Sequence, residues 1–263
     1  MKTVCMLSNP RQGTTYINSL FHNFNNCLVL YEIFHNNKEY GICNNLKNKD
    51  LVLFVLHDNN ITEFTNENYE TELDKIKEVL FNFRTNFPSK FVTSIQKYCK
   101  LKNYDYLLFK IFSYHLPRGK LTNLLNKCDI IYHVTRNYLD TFISKNKAQI
   151  TNQYKFYDSS KIKIEFNILD YEKYLEKSLE WEDYCQDKSF YIIKYDKFIE
   201  LDFYKKINFL KNRILRDSNI KLKNNIKDSI LVKQDKEKLY KNKINNYDEF
   251  YNYFKTKFNL ELD

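Results

Sequence analysis

Pro10-Arg11-Gln12-Gly13-Thr14-Thr15 groups residues suited to holding an anion. It follows a short apolar run, Val4 to Leu7, that reads as a first strand. It precedes Ile17, Leu20, Phe21 and Phe24, which fall at i, i+3, i+4 and i+7 and predict a helix. A strand that turns directly into a helix leaves amide N–H groups unpaired at the helix start, and a glycine lets the backbone approach an oxyanion closely. Arg11 adds a planar fork matched to phosphate or sulfate oxygens, and Thr14 and Thr15 add hydroxyl donors. The chain has only 3 Gly and 3 Pro, and one of each falls in this turn. The Gly-x-x-x-x-Gly-Lys-Ser/Thr pattern of nucleoside triphosphate loops is absent.

A second junction lies mid-chain. The apolar run Ile130 to Val134 ends at Thr135-Arg136-Asn137, and Leu139, Phe142 and Ile143 then mark a buried helix face. Eight residues at about 100° each bring Ser144 to within about 80° of the direction of Arg136, so both can face one ligand.

These residues need a scaffold of strands alternating with helices. Cys27 to Tyr31 reads as a second strand, ending at Glu32-Ile33-Phe34-His35. In an open parallel sheet the carboxyl ends of the strands face the ligand crevice, so Glu32 and His35 are expected beside the first turn. Tyr106 to Phe112 is the strongest central strand and carries Lys110, with His115 just beyond it. Phe190 to Ile193 is a last short strand. Helices are expected over Tyr69–Phe83, capped by Thr65 or Asn66, and over Phe91–Cys99, Leu121–Leu125 and 170–186; Phe203 to Ile214 and Tyr247 to Phe258 show further helical spacing. Leu51 to Leu56, followed by His57-Asp58, has the outline of a metal-binding strand, and fits equally a short strand or helix in an insertion. Arg216 to Lys243 is very polar and reads as mobile. Strand–helix–strand alternation implies an α/β fold with parallel units.

The two junctions together resemble those of the sulfotransferases. Pro10 to Tyr16 is similar to that family's 5′-phosphosulfate loop, and Arg136 to Ser144, with Asp140 between, is similar to its 3′-phosphate motif. Glu32 to His35, Lys110 to Pro117, Lys194-Tyr195-Asp196, Lys233-Gln234 and Asn245 to Glu249 resemble further segments, so the likeness touches most of the chain. Gln12 stands where the family usually has Ser, and Tyr138 where it has Pro. The resemblance implies a three-layer α/β/α, P-loop NTPase-like fold around a mostly parallel sheet, as a single domain over 1–263. Residues 36–104 would form a substrate-side helical insertion and 216–263 a C-terminal extension. It implies sulfuryl transfer from 3′-phosphoadenosine 5′-phosphosulfate to a carbohydrate or small-molecule hydroxyl, with no metal. Arg11, Gln12, Gly13, Thr14 and Thr15 would hold the phosphosulfate, and Arg136, Ser144 and Lys233 the rest of the nucleotide. Arg11 and Lys110 would neutralise the leaving oxygen. Glu32 is the first choice for the base, His115 the second and His35 the third.

Composition narrows the alternatives. With 263 residues, 43% of them hydrophobic, the chain is large enough to form a core without disulfides. The six cysteines show no paired spacing, and the five histidines form no metal motif. With no leader-like N-terminus and no apolar run near the ~20 residues of a membrane span, a cytoplasmic protein is expected. The net charge of +9 comes from lysines spread along a chain whose Asn, Lys, Ile, Tyr and Phe content suggests an AT-rich genome, so nucleic acid is not an expected partner. Two other readings stand beside the first. One is a small-molecule kinase using Leu51 to Asp58 as its metal-binding strand. The other is an inactive basic protein that binds through its charge.

Overall fold

Three strands of this chain are almost unbroken apolar runs, the pattern of a sheet covered on both faces. The computed structural model describes residues 1–42, 48–152, 158–189, 191–228 and 237–258. Its strands are β1 (Lys2–Ser8), β2 (Cys27–Val29), β3 (Tyr106–Phe112), β4 (Ile130–Thr135) and β5 (Tyr191–Lys194). They form one sheet in the order β2-β3-β1-β4-β5, with every pairing parallel. β1 is central, with Met6 opposite Lys110 on β3 and Tyr132 on β4.

Period-two alternation then divides the strand residues between two cores. Cys5, Leu7, Leu107, Phe109, Ile111 and Ile131 pack against α2 (Lys49–Asp58), α3 (Leu73–Asn86), α4 (Pro88–Leu101), α5 (Arg118–Leu125) and Trp181 of α7 (Ile168–Lys188). Val4, Met6, Leu108, Tyr132 and Ile193 pack against α1 (Thr14–Leu20), α8 (Tyr195–Ile199) and α9 (Phe203–Phe209). The result is helix, sheet, helix. A smaller cluster joins α6 (Tyr138–Thr151) and the start of α7 to α10 (Tyr247–Phe258) through Phe142, Phe166, Tyr171, Phe250 and Phe254.

From β1 the chain goes to one side of the sheet for β2 and β3, then crosses to the other for β4 and β5. The order reverses at the carboxyl end of β1, where open α/β sheets bind ligands.

Several expectations need correction. Of the alternatives open for Leu51 to Leu56 the helix is the one observed and the metal-binding strand is not: the run lies within α2, and Asp58 at its end accepts from Ser94 Oγ at 2.7 Å and Lys97 Nζ at 2.8 Å. Asp58 therefore ties α2 to α4 and does not end a strand. The helix expected from Tyr69 starts at Leu73 without a side-chain cap. Thr65 N–H donates instead to Asn68 Oδ1 at 2.7 Å, which turns the chain before the helix begins. β2 stops at Val29, although pairing continues as Leu30 N–H donates to Leu108 O at 2.7 Å and Lys110 N–H to Tyr31 O at 3.0 Å. Within the segment expected to be mobile, Lys223 N–H donates to Asn23 O and Lys227 N–H to Asn23 Oδ1, both at 2.8 Å, tying residues 223–227 to the short turn that follows α1. Lys233 and the island Ile230 to Gln234 lie outside the described residues. Among the described residues no helix is long and apolar enough to cross a membrane.

Phe109 is 1% exposed at the centre of the larger core. Phe109→Ala is expected to cost about 3–5 kcal/mol of unfolding free energy, read as a lower urea midpoint with unchanged slope.

Candidate functional site

The β1–α1 turn is built from its own side chains. Gln12, 1% exposed, points inward, and its Oε1 accepts from Ser8 Oγ and Asn9 N–H, both at 2.9 Å. The residue that departs from the expected Ser thus braces the turn. Arg11 is left-handed at φ 70° and Gly13 at φ 76°. A Cβ on Gly13 would lie 2.0 Å from Tyr195 Cε2, so only glycine lets that ring close on the turn. Gly13 O accepts from Tyr16 and Ile17 N–H and starts α1.

The mid-chain junction meets this turn. Ser144 Oγ lies 3.3 Å from both Nε and Nη2 of Arg11. Arg136 Nη1 donates to Arg11 O at 3.2 Å, its Nε lies 3.4 Å from Asp196 Oδ1, and its guanidinium covers the Tyr195 ring at 5.5 Å. Asn137 caps α6 by accepting from Asp140 N–H, while its own N–H donates to Asp196 Oδ2. Three strand ends, those of β1, β4 and β5, therefore share one cluster of contacts.

Strand β3 supplies a buried cation to the same end of the sheet. Lys110 shares a face of β3 with Leu108, so its stem runs under α1. Its side chain is 1% exposed, and Nζ reaches Thr15 Oγ1 at 2.8 Å and Glu32 Oε1 at 3.0 Å. Glu32 Oε2 lies 3.9 Å from Nε2 of both His35 and His115. Backbone N–H groups donate into Nδ1 of each ring, from Asn37 at 3.0 Å and Phe112 at 3.2 Å. That places both ring protons on Nε2, facing the carboxylate.

The electrostatics separate the candidate bases. Burial would raise the Glu32 carboxyl, but the charge and hydrogen bond of Lys110 lead the opposing effects and hold it below the usual range. Burial pushes His115 down to about 3 against the pull of Glu32, so its ring is neutral at physiological pH. His115, with Nδ1 occupied and Nε2 protonated, is placed as a donor. Glu32 is the anionic acceptor of the group.

Arg11, Gln12, Gly13, Thr14 and Thr15 are thus joined to Lys110 and Glu32 on one side and to Arg136 and Ser144 on the other. Sequence reasoning passed over Arg84, which is 3% exposed. Its signal was present in the spacing, because Arg84 follows Ile76 and Leu80 on the buried stripe of α3. Among the described residues no group of three or more His, Cys, Asp or Glu is placed to hold a metal ion. No family model matches the chain, and no curated protein matches it.

Acidification should erode stability in two steps. His115, at about 3, and His133, lowered by burial to about 4, refuse protons that the unfolded chain binds. Unfolding free energy is therefore expected to fall as pH drops below about 6.5, the ordinary imidazole value. The depressed Glu32 adds stability present above the ordinary carboxylate value of about 4.3 and lost as pH falls through its lower folded value. Urea titrations across pH should show both slopes, His115→Asn reducing the first and Glu32→Gln the second. A flat profile from neutrality to acid would contradict this account.

Proposed function

We propose that this protein is a sulfotransferase, moving a sulfuryl group from 3′-phosphoadenosine 5′-phosphosulfate to an acceptor hydroxyl. The observation that carries the proposal is the meeting of Arg136 and Ser144 with the Arg11 turn, because this donor carries phosphate on both the 5′ and the 3′ oxygen of its ribose. Arg136 Nη1 is 3.2 Å from Arg11 O, and Ser144 Oγ is 3.3 Å from the Arg11 guanidinium. The left-handed Arg11, at φ 70°, supports the reading further, since backbone strain of about 1–3 kcal/mol persists mainly at ligand clamps and active sites.

In this mechanism the 11–15 turn and Lys110 bind the phosphosulfate, and Arg136 with Ser144 binds the 3′-phosphate. The acceptor oxygen attacks sulfur in line as the bond from sulfur to the bridging oxygen breaks. Negative charge then gathers on the leaving phosphate, facing Arg11, Lys110 and the turn amides. One such preorganised donor is worth about 2.7–4 kcal/mol. Lys110 turns from Glu32 toward that anion, which releases the carboxylate to take the acceptor proton. The products are a sulfate ester and adenosine 3′,5′-bisphosphate. His35 and His115 lie 3.9 Å from the other oxygen of the carboxylate.

The kinase reading loses its metal-binding strand, since Leu51 to Asp58 is helical. Turnover of labelled phosphosulfate over a panel of glycans, lipids and phenols tests the proposal. Glu32→Gln is expected to keep nucleotide binding and lose about 10²–10⁴-fold in turnover. In thermal shifts, adenosine 3′,5′-bisphosphate at about 100 times its Kd should add ~2.7 kcal/mol. A larger, salt-steep shift with a DNA oligonucleotide would favour the basic binding protein instead.

A further inference from the structure

Arg84 makes an unusual set of bonds for a buried arginine. Its Nη1 donates to Ile33 O at 3.1 Å and Tyr40 O at 2.6 Å, and its Nη2 to His35 O at 2.6 Å and Asn37 O at 3.0 Å. Four carbonyls of one short segment, 33–40, thus accept from a single guanidinium carried by α3. The five donors of arginine lie in a rigid planar fork, so the bonds fix the segment's curvature as well as its position.

The segment is shaped to admit that fork. Gly41 has φ 108°, and a Cβ there would lie 1.8 Å from Arg84 Nη1. Just ahead of the clamped carbonyls, Glu32 reaches Lys110 Nζ at 3.0 Å, and His35, inside the clamp, sits 3.9 Å from Glu32. The Arg84 charge also lies near enough to His115 to help lower its titration.

We infer that Arg84 is a positioning residue that fixes the Glu32–His35 segment against Lys110 and His115, with Gly41 as its required counterpart. α3 belongs to the helical insertion between β2 and β3, so the insertion has a task beyond any contact with an acceptor: it sets the geometry of the carboxylate. The catalytic consequence rests on the sulfotransferase reading, and the geometric claim does not.

Arg84→Lys, Arg84→Met and Gly41→Ala test the inference together. Amide exchange over 33–41 is expected to rise by at least about tenfold in each, while β1 and β3 keep their protection. The Glu32 carboxyl, followed by carbon NMR, should titrate closer to its ordinary value as its approach to Lys110 loosens. Turnover should fall by at least about tenfold with the donor KM within about twofold, and Arg84→Lys should retain more than Arg84→Met. A wild-type protein without transferase activity would defeat the functional reading, and exchange and titration would still decide this one. Unchanged exchange and Glu32 titration in all three variants would overturn it. So would Arg84→Lys losing protection across β1 and β3.

Discussion

A lysine ammonium taken almost wholly out of water needs oxygen partners, and those of Lys110 govern this structure. Nζ joins Thr15 on α1 to Glu32 beyond β2, at 2.8 and 3.0 Å. One side chain therefore registers the first turn, the second strand end and the third strand against each other. The register that puts Lys110 opposite Met6 follows from parallel pairing of β1 with β3. Sheet alternation then leaves Lys110 no direction but toward α1.

Positive charge gathers at the same sheet edge. Arg11, Lys110 and Arg136 come from three strand ends, with Glu32 and Asp196 beside them. Lys110 is paired with Glu32 at 3.0 Å and Arg136 with Asp196 at 3.4 Å, so these charges are partly met within the chain.

Much of this was legible in the residues. The strands β1, β3 and β4 were marked by apolar runs, because sheets covered on both faces are hydrophobic throughout. The two junctions were marked by residue type and spacing, and the structure brings them into contact through Arg11, Arg136 and Ser144. The long-range parts were harder to see. The apolar run at Leu51–Leu56 fits a helix as well as a strand, and only its packing on α4 decides between them. The inward Gln12 was not foreseen, since its partners Ser8 and Asn9 matter only once the turn is folded. Arg84 sits on an apolar stripe where an arginine looks anomalous, and its reason is a backbone segment more than forty residues earlier. Glu32 was foreseen at the right strand end, whereas its double imidazole contact depends on the turn that brings His115 back.

The central claim is that two junctions grip two ends of one nucleotide, and calorimetry can isolate the second grip. Adenosine 3′,5′-bisphosphate should bind at least about tenfold more tightly than adenosine 5′-monophosphate, a difference of about 1.4 kcal/mol. That advantage should vanish in Arg136→Ala while the monophosphate affinity stays. Equal affinities in the wild-type protein, or an advantage untouched by Arg136→Ala, would contradict the account.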